Sequence, residues 1–187
     1  MQKKILQKNE KVLRQIAKEV HVSEIKTIKI KKVLKEMKEA LESQDDGVAI
    51  AAPQIGYRLR IFIVSGKIFA KDFTKNIEEK LLNENNVVSK NEVKEKIKNI
   101  IFINPKISKL SREKTWMPEG CLSVRPLYGK TFRSTKATIN AYNENGKKIT
   151  RGASGLLAQI FQHEVDHLNG ILFIDHAKDI KAEIPQK

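Results

Sequence analysis

The sequence predicts an α+β fold in which antiparallel sheets pack around one central helix. Three observations lead there. Strand-like apolar segments occupy the middle of the 187-residue chain, and an Asn-Gly pair joins two of them as a hairpin. An unusually apolar helix carrying H-E-x-x-H follows them, so the order is strands then helix, without βαβ alternation. The length suits one domain over 1–187 with a substantial core.

Residues 24–42 place Ile30, Val33, Leu34, Met37 and Leu41 at helical spacing and read as an amphipathic helix. Gly47 opens GVAIAAPQIG, which reads as a loop of small residues. RIFIVSG at 60–66 then alternates like a strand. Residues 71–98 are polar, and a stretch at about 67–98 reads as an insertion leaving the core. The chain returns with IIFINPKI at 100–107, a strand expected to end at Pro105. KATINAYNENGKKIT at 136–150 reads as two strands joined at Asn145-Gly146. In SGLLAQIFQHEVDHLNG, Ser154 is the expected N-cap and Asn169-Gly170 the expected stop.

Composition narrows the class. The net charge of +14 is uneven, with twelve basic against four acidic side chains in residues 1–38 and further basic excess in 90–116 and 125–151. Such a surface favours polyanions, including RNA or a ribosome. Aromatic residues are scarce in these segments and no nucleic-acid motif occurs, so the charge reads as a solvated surface, not a sequence-specific nucleic-acid site. No apolar run approaches a membrane span, and the charged N-terminus MQKKILQKNEKVLRQ lacks the apolar stretch of a signal peptide. The single cysteine, Cys121, rules out an intramolecular disulfide and fits a reducing compartment. A cytoplasmic protein is expected.

The chemistry concentrates in QHEVDHLNG at 162–170. On a helix His163 and His167 share a face, so both rings can reach one point. The ordinary alternative is a buried helix whose histidines are satisfied by hydrogen bonds. Leu156, Leu157, Ile160, Phe161, Val165 and Leu168 make the surroundings apolar, so the polar residues between them need partners. A metal supplies one partner for several of them, with the intervening glutamate handling protons at a water.

A catalytic site of this kind usually has a third protein ligand. The metzincin continuation would require histidine where Phe173 stands, and the downstream glutamate available is Glu183, close to the end of the chain. Upstream, Cys121 lies in MPEGCLSV, where Gly120 permits close backbone approach. Two imidazoles and a thiolate suit zinc, ferrous iron, cobalt or nickel.

With GVAIAAPQ at 47–54, EGCLS at 119–123 and QHEVDHLNG at 162–170, the sequence resembles the peptide deformylases. These enzymes remove the formyl group from the N-terminal methionine of new bacterial proteins, releasing formate. The resemblance runs with gaps from about residue 8 to residue 175. It implies one divalent metal, natively Fe2+ in most members, held by Cys121, His163 and His167. It also implies that Glu164 moves protons between the attacking water and the leaving amine, and that the Gln54 amide and the Leu122 N–H hold the oxyanion. Glu119 would orient a histidine ligand, and Arg133 would pair with buried acids, Asp166 among them. Val48, Ala49, Gly120, Leu156 and Ile160 would contact substrate. The implied partners are N-formylmethionyl nascent peptides and, transiently, the ribosome.

The match departs at named places. Ala49 stands where the family's first motif normally has a second glycine, and Arg125 where a proline usually follows EGCLSV. The 67–98 stretch is long, and the tail after 174 is short for the long C-terminal helix some members use at the ribosome. Two other classes remain: a metalloprotease, whose metal would not depend on Cys121, and a ribosome-binding relative that has lost catalysis.

Overall fold

A computed structural model describes residues 3–70 and 97–182. Helix α1 spans Ile28–Glu42. The strands are β1 (Ala49–Ala51), β2 (Ile61–Val64), β3 (Ile100–Leu110), β4 (Lys114–Gly120), β5 (Leu127–Ser134), β6 (Lys136–Tyr142) and β7 (Lys148–Ser154). Helix α2 spans Gly155–Leu168, and β8 (Lys178–Ala182) follows it. One sheet has the order β1-β2-β3-β6-β7 and the other β4-β5-β8, and these strands all pair antiparallel. Helix α2 packs on strands of both sheets, as an α+β core built around one helix requires.

Helix α1 begins at Ile28, later than the expected 24, because Thr27 caps it by accepting from the Ile30 N–H. Residues 22–24 form a short 3₁₀ turn instead. All five residues of the expected apolar stripe are buried and pack toward β1 and β2. Its fellow α2 buries Ala158, Ile160, Phe161, Val165 and Leu168 against Phe62 and Phe102, whose rings stack 4.7 Å apart. Ser154 does occupy the N-cap, although its side chain makes no cap hydrogen bond. At the other end Gly170 adopts φ +77, and a Cβ there would lie 2.8 Å from the Arg14 backbone. Glycine therefore both ends the helix and lets the N-terminal segment cross it.

Four expectations need correction. Part of the small-residue loop is strand, since Ala49–Ala51 pairs with β2 before a 3₁₀ turn at Ala52–Ile55. Strand β2 is buried along its whole length, lying between β1 and β3 with core on both faces. Strand β3 continues through Pro105, because a register shift between Ile103 and Lys106 takes Asn104 and Pro105 out of the ladder. There the missing proline N–H forfeits no ladder bond. Asn104, at φ +52, uses its displaced side chain to bind both the N–H and the carbonyl of Val20. Finally, strands do not all precede the helix: β8 follows it, and β4 and β5 were not anticipated.

Residues 71–96 of the expected insertion lie outside the described residues. Its two ends meet. The Gly66 N–H donates to Asn99 Oδ1 at 2.9 Å, and Val64 pairs with Ile100.

Candidate active site

Helix α2 supplies His163, Glu164 and His167, while the segment leaving β4 supplies Cys121. The ligand atoms of Cys121, His163 and His167 all lie within 4.8 Å of one another. Cys121 Sγ is 3.1 Å from His167 Nε2, and the two imidazoles stand nearly perpendicular with centroids 4.9 Å apart. Phe173, where a metzincin would have histidine, instead stacks on His163. Glu183 lies outside the described residues.

One of the ligands, His163, is held from behind, whereas His167 Nδ1 is buried with no hydrogen-bond partner among the described residues. His163 Nδ1 is 2.7 Å from Glu119 Oε1, which leaves Nε2 for the centre of the cluster. Glu119 in turn receives Arg133 Nη2 at 2.8 Å, Thr131 Oγ1 at 2.6 Å and Gln159 Nε2 at 3.1 Å. Arg133 also bridges to Asp166 Oδ2 at 2.6 Å, and His176 Nε2 approaches the same oxygen at 3.4 Å. Burial disfavours a charge on Glu119, but His163 and Arg133 outweigh it and hold the carboxyl well below the usual range. Glu119 is therefore a carboxylate with all its neighbours donating.

Replacing Thr131 by valine preserves the side chain's shape and removes one of those charge-assisted donors. Thr131→Val is expected to lower unfolding free energy by about 1.5–3 kcal/mol, measured by urea denaturation. An unchanged midpoint would show that the other donors suffice.

Glu164, also buried and beside the ligands, differs from Glu119 in lacking such donors: its Oε2 has no hydrogen-bond partner among the described residues. Burial, with the Glu119 charge adding to it and His163 opposing, pushes its carboxyl up to about 7. An orphaned buried oxygen is costly unless something in the cleft uses it. Burial likewise holds His167 well below the usual histidine value and therefore neutral, the form that can ligate.

The cleft beside the cluster holds about 290 Å³. Its lining includes Val48, Ala49, Gly120, Leu156 and Ile160, together with Gln54 and Leu122, so every expected substrate and oxyanion residue is present. Ala49 also belongs to the core cluster around Phe62, so it stands where the cleft meets the core. The Gln54 amide has a fixed sense. Its Oε1 accepts from the Ala51 N–H at 2.7 Å, which turns Nε2 toward Ser123 Oγ at 3.1 Å and Cys121 Sγ at 3.7 Å. Arg125, the expected departure, forms an ion pair with Asp46 at the cleft mouth.

Sequence reasoning missed Ser123, Thr131, Gln159 and Gln7, whose amide binds the Leu122 carbonyl at 3.1 Å. Ser123 and Leu122 lie inside the quoted EGCLS motif, which was a signal for the first. The other three bond across 12 to 115 residues, and nothing local marks them.

The donor set tests well against a metal. Two imidazoles and one thiol converge, one imidazole is oriented by a carboxylate, and a carboxyl oxygen waits unpaired beside them. An α+β fold built on such a helix defines a metal-dependent hydrolase.

Comparison with known proteins gives the family. The family model described as polypeptide deformylase matches residues 2–183. The peptide deformylase of Fusobacterium nucleatum is 38% identical over 172 residues, covering 92% of this chain and 82% of the relative. That of Carboxydothermus hydrogenoformans is 35% identical over 177 residues, covering 95% and 94%. A Met-Ala-Ser-bound crystal structure of the class I type b peptide deformylase from Acinetobacter baumannii superposes with TM-score 0.74 at 26% identity, covering 94% and 98%. The chain belongs to the polypeptide deformylase family, metal-dependent hydrolases that remove the formyl group from nascent peptides.

Proposed function

We propose that Cys121, His163 and His167 hold a single divalent ion, Fe2+ in the cell, for which zinc, nickel or cobalt can substitute, and that the substrate is the formyl-methionine end of a nascent chain. The carrying observation is the unpaired oxygen of buried Glu164, which lines the same cleft as Cys121 and His163, two of three residues whose ligand atoms lie within 4.8 Å of one another. When bound, the metal supplies Lewis-acid polarisation and a water acidic enough to attack an amide.

The chain's own residues supply the rest. Glu164 takes a proton from the attacking water and returns it to the departing amine nitrogen, and a carboxyl pushed up to about 7 suits both directions of transfer. The Gln54 Nε2 group and the Leu122 N–H donate to the oxygen that gains charge on the formyl group, worth about 3–4 kcal/mol per donor in comparable sites. Val48, Ala49, Gly120, Leu156 and Ile160 receive the methionine side chain and adjoining backbone. Glu119, Arg133 and Asp166 fix the His163 ring.

The whole chain, 1–187, acts as one domain in the cytoplasm, with 67–98 inserted between two adjacent strands. The meeting of Gly66 with Asn99 supports that insertion. Transient ribosome association follows from the substrate, and the +14 charge favours it. No described helix is long and apolar enough to cross a membrane.

The test is formate release from formyl-Met-Ala-Ser by protein prepared anaerobically with ferrous iron. Turnover lost on chelation and restored by iron is expected. Stoichiometric metal without formate release would overturn deformylation of this substrate.

A further inference from the structure

Strands β4, β5 and β8 carry an inverted pattern. Their inward residues Glu119, Thr131 and Arg133 are polar and serve the active site, while Trp116 and Phe132 point to solvent. These two are direct cross-strand partners with ring centroids 5.2 Å apart, and they remain 43% and 51% exposed. Lys178 of β8 sets its ammonium 4.9 Å from the Trp116 ring. Lys114 and Lys130 share this face by strand alternation, and Lys181 joins it opposite Tyr128. Besides Glu119, the acid on these strands is Asp179, already paired with Lys130 at 3.3 Å.

A cross-strand aromatic pair stabilises a hairpin, which explains the rings but not the lysines around them. An acidic peptide would use the lysines and gain little from the rings. Single-stranded RNA uses both, because every base has a face to stack and every linkage a phosphate to neutralise. The fold also corrects the impression of aromatic scarcity: two of the basic segments, 90–116 and 125–151, contribute one ring each and are brought side by side.

We propose that this face binds single-stranded RNA without sequence preference, bases stacking on Trp116 and Phe132 while Lys114, Lys130, Lys178 and Lys181 neutralise phosphates. The proposal stands apart from turnover, since none of these six side chains lines the cleft.

Trp116 is the chain's single tryptophan, so its emission reports this surface alone. Titration of the intact protein with decaadenylate should quench it saturably. Affinity should fall with salt at a log–log slope of about −3, as four single-strand phosphate contacts require. Phe132→Ser, which keeps the reporter, should weaken binding at least ~5-fold. Lys130→Gln combined with Lys178→Gln should reduce the slope by about 1.4. Both variants should keep the wild-type circular dichroism and formate release, which separates a lost surface from a lost fold. Absent quenching in the folded wild type, or undiminished affinity in Phe132→Ser, would overturn the proposal. So would equal quenching by decaglutamate or by phosphatidylglycerol vesicles, which would assign the face to acidic peptides or membranes.

Discussion

Glu164→Gln should lower kcat by about 10²–10⁴-fold while leaving thermal stability equal to the wild type or above it. The amide matches the carboxyl in shape but cannot take a proton from water. The two readouts should separate because the carboxyl is held where it is costly: buried, pushed up to about 7, and with Oε2 unpartnered among the described residues. Gln removes a charge that burial disfavours and deletes no hydrogen bond to that oxygen. Metal content should stay stoichiometric, since Glu164 is not among the three converging ligands. Parallel assays of formate release, metal content and melting temperature decide the matter. A kcat within tenfold of wild type would mean that another group moves the proton. A fall in both metal and stability would make Glu164 a structural residue.

The helical half of this site was legible because its information is local. His163 and His167 are four apart, so helix geometry alone makes them converge, and Gly170 marks where the helix must stop. The β6–β7 hairpin was legible for the same reason, through Asn145-Gly146. The β4–β5 pair was not. Strand reading looks for apolar residues inside and polar residues outside, and here Glu119, Thr131 and Arg133 point in while Trp116 and Phe132 point out. Pro118 and Gly129 weaken the strand signal further. The inversion has a structural cause, since the network behind His163 is polar and sits on the sheet's inner face. The three quoted motifs pointed to residues that the fold does bring together, while Gln159 and Gln7 look like ordinary surface glutamines until the fold brings them to Glu119 and Leu122. Strand β3 was expected to end at Pro105 and runs on to Leu110. Pro105 breaks a regular ladder, and the register shift that accommodates it, with Asn104 turned to bind Val20, appears only in the fold.

Cys121→Ser should abolish stoichiometric metal retention and reduce formate release at least ~100-fold, the larger end of what even supporting residues of a metal site cost. The substitution exchanges a thiol that ionises on ligation for a hydroxyl that stays protonated near neutrality. Geometry makes the loss specific to the sulfur. The Ser123 N–H and the Gln54 amide both point at Sγ, at 3.4 and 3.7 Å, which fixes the position of the sulfur. Because Cys121 is only partly buried and adjoins the cleft, serine should leave the folded chain intact. Linkage provides the control: chelation should lower the melting temperature of wild type, whose fold gains binding energy from the ion, and should leave Cys121→Ser unmoved. A variant that keeps its metal would remove Cys121 from the ligand set and revive the protease reading, in which the third ligand lies elsewhere. A variant that loses its metal yet regains turnover at high iron concentration would confirm that the thiolate grips the ion while Glu164 and Gln54 act on the substrate.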